Sequence, residues 1–203
     1  NFLAALTRFG AKTSMIGKVG ADPFGKLLLG TLEKAGIGTE GMIEAPDVFT
    51  TLAFVDLSPE GERTFSFARK PGADTQITEK ELDMEILGNT KIFHVGSLSL
   101  TSEPARSTTF AAIKAAKSAG AVISYDPNYR ATLWENVETA KREMKSLIPF
   151  VDIMKISDEE TELLTDEKEP EQAAKGSKTC SSYPWKRRLI YSECKRRKES
   201  SRI

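Results

Sequence analysis

Val122-Ile123-Ser124-Tyr125-Asp126-Pro127-Asn128-Tyr129-Arg130-Ala131-Thr132-Leu133-Trp134 is the stretch on which the reading of this chain turns. Val122, Ile123 and Tyr125 form a short β-branched and aromatic run, the pattern of a buried strand. Pro127 has no N–H to donate and biases Asp126 away from the helical region, so the strand stops there. Its carboxyl end then carries an acceptor (Asp126), an amide that both donates and accepts (Asn128) and a cationic fork (Arg130). Ligands of α/β sheets bind outside the carboxyl ends of strands. These three are therefore candidate substrate-binding residues, suited to an anionic or hydroxyl-rich ligand. The competing reading makes D-P-N a plain turn and Arg130 a solvated surface charge.

The flanks repeat an α/β rhythm. Downstream, the pattern predicts a helix from about Val137 to Leu147, a strand over Val151–Ile156 and a helix ending near Leu164. Upstream, it predicts a strand over Lys91–Val95 and a helix over Ser102–Ala119, with Phe110, Ile113 and Ala116 on one side and Gly120 at its end. Thr78 with Glu81 is a capping-box pattern opening a helix through Leu87. At the amino end, Leu3, Leu6 and Phe9 have helical spacing before Gly10, and Lys12–Val19 reads as a strand. Asp22 is a good N-cap and Pro23 a good first residue for a second helix, whose expected buried stripe is Phe24, Leu27, Leu28 and Leu32. Strands alternating with helices predict an α/β fold with a doubly wound, mostly parallel sheet.

One segment departs from that rhythm. From about residue 41 to 70, two β-rich runs (Thr50–Leu57 and Arg63–Arg69) flank Ser58-Pro59-Glu60-Gly61-Glu62, the pattern of an antiparallel hairpin. Phe65 and Phe67 alternate with Thr64, Ser66 and Ala68, giving one strongly apolar face. Such an insertion extends a sheet, forms a lid over a site or makes a dimer contact.

Composition excludes several classes. The chain is 39% hydrophobic and 29% charged, typical of a soluble globular protein, and no run approaches the roughly 20 apolar residues of a membrane span. No secretory signal is visible and the chain opens on Asn1, so its true start is expected to lie upstream. Both cysteines, Cys180 and Cys194, fall in a basic segment, Gly176–Ile203, which holds four Lys and five Arg against two Glu. The cysteine-free remainder suits a reducing, cytoplasmic setting. His94 is the only histidine; on a strand it reads as a hydrogen-bonded core residue and not a catalyst, so a Ser-His-Asp triad is not expected, and with no second histidine and no cysteine in the body neither is His-based zinc chemistry. No P-loop or G-x-G-x-x-G motif occurs, and neither nucleic acid nor membrane is an expected partner.

Lys155-Ile156-Ser157-Asp158-Glu159-Glu160 closes the body. Ser157 and Glu160 form a capping box. The same residues also suit a magnesium site at a strand end, with Glu160 reaching a metal-bound water and Lys155 near a phosphate. The two readings are compatible.

Taken together, these pieces resemble the pfkB family of carbohydrate kinases, with plant-type fructokinases the nearest pattern. The carriers are Asn1-x-x-Ala4-Ala5-Leu6-x-Arg8-x-Gly10 and Gly17-Lys18-Val19-Gly20-Ala21-Asp22-Pro23-Phe24-Gly25, then Arg69-Lys70-Pro71-Gly72-Ala73-Asp74. Asp126-Pro127-Asn128-Tyr129-Arg130 with Leu133-Trp134 follows, and Ser157 to Glu160 stands where the family has N-x-x-E. The resemblance implies a ribokinase-like fold and ATP-dependent phosphorylation of fructose at its 6-hydroxyl. It sets Asn1 against the sugar, Asn128 and Arg130 near its hydroxyls or the transferred phosphate, and Lys155 and Glu160 on the nucleotide–magnesium side. It also implies a hairpin that closes over the sugar and offers a homodimer contact. Ribokinase, adenosine kinase and keto-deoxygluconate kinase are alternatives within the family, and a catalytically dead sugar-binding or dimerising remnant is an alternative outside enzyme function. The family's catalytic Asp lies in a G-A-G-D motif, absent from these 203 residues, so no catalytic base is assigned and the polypeptide is expected to be inactive.

Gly176–Arg188 has no apolar periodicity. Its codons, read one nucleotide later, permit V-L-K-L-V-L-L-T-L-G-K-E-G, which resembles the family at this place. A disordered or out-of-frame segment over residues 176–203 is the expectation; a nuclear-targeting or nucleic-acid-binding basic tail is the rival reading.

Overall fold

The computed structural model describes residues 2–59, 61, 63–167 and 189–191. Its centre is a four-stranded parallel sheet in the order β5 (Ile92–Gly96), β6 (Val122–Asp126), β7 (Ile153–Ile156) and β8 (Leu189–Tyr191). Side chains alternate across it. Val95, Ile123, Tyr125, Met154 and Ile156 are buried, while Ile92, Val122 and Lys155, at the intervening positions, are exposed. The buried face meets α4 (Ala105–Ser118) through Ala112, Ile113 and Ala116, and α5 (Val137–Leu147) through Ala140, Met144 and Leu147. Leu87 of α3 (Met84–Asn89) and Leu164 of α6 (Asp158–Thr165) complete the core.

The amino-terminal part is a second layer. After α1 (Phe2–Arg8), β1 (Ser14–Gly20) pairs in parallel with β2 (Gly38–Ala45), and α2 (Pro23–Lys34) crosses between them. Residues 41–45, expected within the hairpin segment, therefore belong to this parallel pair. Asp22 explains the G-A-D-P-F-G run. Its carboxylate accepts from the Phe24 and Gly25 N–H groups at the start of α2 and from the N–H and hydroxyl of Thr50, tying the helix to the chain that enters the hairpin. Glycine is required here because a Cβ on Gly25 would overlap the Gly20 carbonyl.

Three further expectations change. The α2 stripe is not buried: Leu27 is 65% exposed and Phe24 and Leu28 nearly half exposed, because no described element lies over that side. The Thr78–Glu81 box forms, but it caps a 3₁₀ turn at Glu79–Glu81. Leu82 then turns extended and Asp83 starts α3 afresh with a cap of its own. Finally, α4 begins at Ala105 instead of Ser102, since Pro104 keeps Glu103 out of the helix. By contrast, α5 spans the expected Val137–Leu147, with Asn136 capping it through the Thr139 N–H.

The hairpin is β3 (Leu52–Leu57) paired antiparallel with β4 (Arg63–Ala68). Arg69 fastens its root. Nε and Nη2 hold Asp74, Nη1 donates to Thr101 Oγ1 and Nη2 to the Leu98 carbonyl, so the hairpin is tied to the loop beyond β5. Thr51 donates to the other oxygen of Asp74. Of the basic segment, Leu189–Tyr191 forms β8 beside β7; residues 176–188 and 192–203, on which the tail expectation chiefly falls, lie outside the described residues.

Candidate functional site at the strand ends

The residues singled out in sequence meet at the carboxyl ends of β5, β6 and β7. Asp126 ends β6 and Lys155 lies on β7; their side chains pair at 3.1 Å (Nζ to Oδ2), both partly open to solvent. Asn128 follows with φ of +48°, a left-handed conformation that asparagine tolerates better than most residues. That turn sends the Tyr129 N–H to Glu160 Oε1 at 2.7 Å. Glu160 is buried, and its other oxygen accepts from the N–H and hydroxyl of Ser157, both at 2.9 Å. The capping box and the D-P-N-Y-R loop are thus one hydrogen-bonded unit. Arg130 donates to the Tyr129 carbonyl and stands over the Phe65 ring of the hairpin. Asn1 lies outside the described residues.

Two further polar atoms gather here. Among the described residues, Asp126 Oδ1 and Ser97 Oγ are buried and without a hydrogen-bond partner. Ser97 follows β5 and its N–H donates to the Pro127 carbonyl, so both atoms belong to adjoining strand ends. Ser97 is not among the residues the sequence pattern singles out; its signal is Gly96-Ser97 directly after a predicted strand. Burial pushes the Tyr125 phenol well above its usual range, and the carboxylates of Glu160 and Asp126 push it the same way. His94 is half-buried, bonded through Nδ1 to Ser124 Oγ at 3.0 Å and stacked on Phe2. Burial lowers its pKa and the charge of Asp126 partly offsets that.

For a metal, the donor set is restricted. No cluster of three or more His, Cys, Asp or Glu side chains that could hold an ion occurs among the described residues. Glu160 has three donors on its two oxygens, which leaves room for a metal-bound water and little for direct ligation. The free Oδ1 of Asp126 and the Ser97 hydroxyl fit a hydroxyl-bearing ligand or an ordered water.

A parallel sheet with its polar residues at the strand ends, joined to an antiparallel hairpin, is the ribokinase-like α/β arrangement. The pfkB family carbohydrate kinase model matches residues 1–191, and the chain belongs to that family. Probable fructokinase-5 of Arabidopsis thaliana is 46% identical over 165 residues, 81% of this chain and 51% of the relative. Fructokinase-2 of Solanum lycopersicum is 44% identical over 165 residues, 81% and 50%. Among solved structures, the fructokinase with bound ATP from Xylella fastidiosa superposes with a TM-score of 0.82 at 30% identity, covering 95% of this chain and 60% of that one. The Vibrio cholerae fructokinase in its fructose, ADP and calcium ion bound form gives 0.76 at 30% identity, covering 85% and 56%. The chain spans about half the length of the curated relatives it matches. No helix among the described residues is long and apolar enough to cross a membrane.

Proposed function

We propose that this chain is part of an ATP-dependent sugar kinase acting on the 6-hydroxyl of fructose. The observation that carries the reading is the Tyr129–Glu160 hydrogen bond, which joins the D-P-N-Y-R loop to the S-D-E-E turn in one polar group at the strand ends. The fructokinase relatives support the choice of sugar. ATP supplies the phosphoryl group, with a divalent cation, magnesium in this proposal, to screen its charge. In this reading Asn128 and Asp126 bind sugar hydroxyls, Asn1 adds a further sugar contact, and Arg130 and Lys155 meet phosphate charge. Glu160 holds the loop and reaches the cation only through water. The hairpin excludes water from the transfer. Positioning and electrostatics carry most of phosphoryl-transfer catalysis, and these residue types suit both.

The 203 residues themselves hold no G-A-G-D, and loss of a general base alone costs about 10²–10⁴-fold. The 203-residue polypeptide is therefore proposed to bind sugar without turning it over. Calorimetry with fructose, ribose and keto-deoxygluconate tests the sugar, with fructose expected to bind most tightly; no heat with any of them rejects the reading. Fructose-dependent ADP release above background rejects the inactivity. A dimerising role has one observation in its favour: Phe54, Val55 and Leu57 of β3 are exposed. Sedimentation at two concentrations tests it, a purely monomeric chain being the negative result. Transcript sequencing across codon 175 tests the out-of-frame origin of the basic segment, and cell fractionation the proposed cytoplasmic setting.

A further inference from the structure

The hairpin and the D-P-N-Y-R loop meet through an aromatic face. Phe65 and Phe67 occupy alternate positions of β4 and stack on each other, centroids 6.3 Å apart and planes 13° from parallel. The Arg130 Cζ lies 5.9 Å from the Phe65 centroid, within cation–π range. Arg69 directly follows β4, and its four bonds pin the hairpin root to Asp74, Leu98 and Thr101. That anchor sets where the Phe65 ring can reach. Arg130, for its part, spends an N–H on the carbonyl of its own neighbour Tyr129, and no carboxylate pairs with it among the described residues. Among the described residues the remaining N–H groups of the fork meet no carboxylate, and the Phe65 ring is the aromatic group within reach of its Cζ. A guanidinium is planar and weakly hydrated, which suits it to stacking on a ring while its edge N–H groups serve an anion.

We propose that Phe65 is a positioning residue: its ring holds the Arg130 guanidinium, so the hairpin and the strand-end loop move as a coupled pair. The proposal rests on the sugar-kinase reading only for its purpose, the presentation of Arg130 to a phosphate. The contact itself is independent of that reading. Coupling of this kind is reciprocal: whatever loosens the arginine loosens the hairpin, and the reverse.

Hydrogen exchange and NMR on the 203-residue chain test it, with inorganic phosphate as the probe. Arg130→Met is expected to speed exchange of the β3 and β4 amides about two- to five-fold, the range of an exposed cation–π contact, and to leave the β5–β7 amides unchanged. In the parent chain the Arg130 Nε–H signal should show an upfield ring-current shift; Phe65→Leu abolishes it and Phe65→Trp retains it. Half-maximal response of that signal to phosphate should need about two- to five-fold more phosphate in Phe65→Leu and return to the parent value in Phe65→Trp. Hairpin exchange indifferent to Arg130→Met overturns the proposal, as does an unshifted Arg130 signal in the parent chain. Protection of the β5–β7 amides reports whether each variant folds. If Phe65→Leu does not fold, Arg130→Met and Phe65→Trp decide the matter between them. If phosphate leaves the Arg130 signal unmoved while the exchange coupling holds, the phosphate-binding role of Arg130 fails and the positioning role stands.

Discussion

The central sheet and the amino-terminal layer share one α/β pattern and differ in what covers them. Around β5–β7, Ile113, Ile123, Tyr125, Met144 and Leu147 are wholly buried. Around β1 and β2 the buried residues are fewer, chiefly Val19, Ile37 and Ala45, while Phe24, Leu27 and Leu28 of the neighbouring helix stand open. Hydrophobic spacing therefore marks a face that can be buried, and burial itself depends on a second element arriving to cover it. In the amino-terminal layer, polar links carry more of the cohesion: Asp22 to Thr50, and Lys18 to Glu81 and the Gln76 carbonyl.

This contrast can be broken by mutation. The largest expected effect is in the central sheet: Ile123→Ala should cost about 2–5 kcal/mol in urea unfolding, transfer and cavity costs together. A value below about 1 kcal/mol would remove the distinction between the two regions. Next, Glu160→Ala leaves the Tyr129 and Ser157 N–H groups without their acceptor, at about 1–3 kcal/mol, and should expose the Tyr129 amide to exchange. Asn136→Ala removes the α5 cap, at about 1 kcal/mol.

Acid should act on the amino-terminal layer. The Thr50 N–H, with further bonds from Gly25 and Phe24, holds Asp22 below its ordinary 3.8 against the opposing effect of burial. Burial works to raise Glu81, and hydrogen bonds from Lys18 and Thr78 outweigh it, holding the group below its ordinary 4.5. Both carboxylates therefore favour the folded chain fully above about pH 4.5, and that contribution fades as pH falls through their lowered values. Thermal unfolding from pH 6 downward should show this, and Asp22→Asn should flatten the fall. Smallest of all, Leu27→Ala should change stability by less than about 0.5 kcal/mol. A cost near that of Ile123→Ala would mean the open helix face is covered in solution.

What was legible in the residues was local. Pro127 ended β6, the Ser157–Glu160 box started α6, and the Ser58–Glu62 turn gave the hairpin, because each depends on neighbours within a few positions. The strand-end location of Asp126, Asn128 and Lys155 followed from the same local reading. What was not legible was partnership at a distance. Tyr129 meets Glu160 across 31 positions, and Arg69 reaches Leu98 and Thr101 across 29 and 32. No spacing rule specifies such pairs, which exist only once the strands are side by side. The open side of α2 is the same lesson reversed, an apolar stripe legible in sequence whose covering partner is not.

The left-handed backbone at Asn128 has a practical consequence. Glycine adopts that geometry without a Cβ penalty, so it would keep the bend and delete only the carboxamide, whereas alanine would lose the carboxamide and resist the bend as well. Shape and chemistry at the tip of the strand-end loop can thus be separated by choosing between two of the smallest side chains.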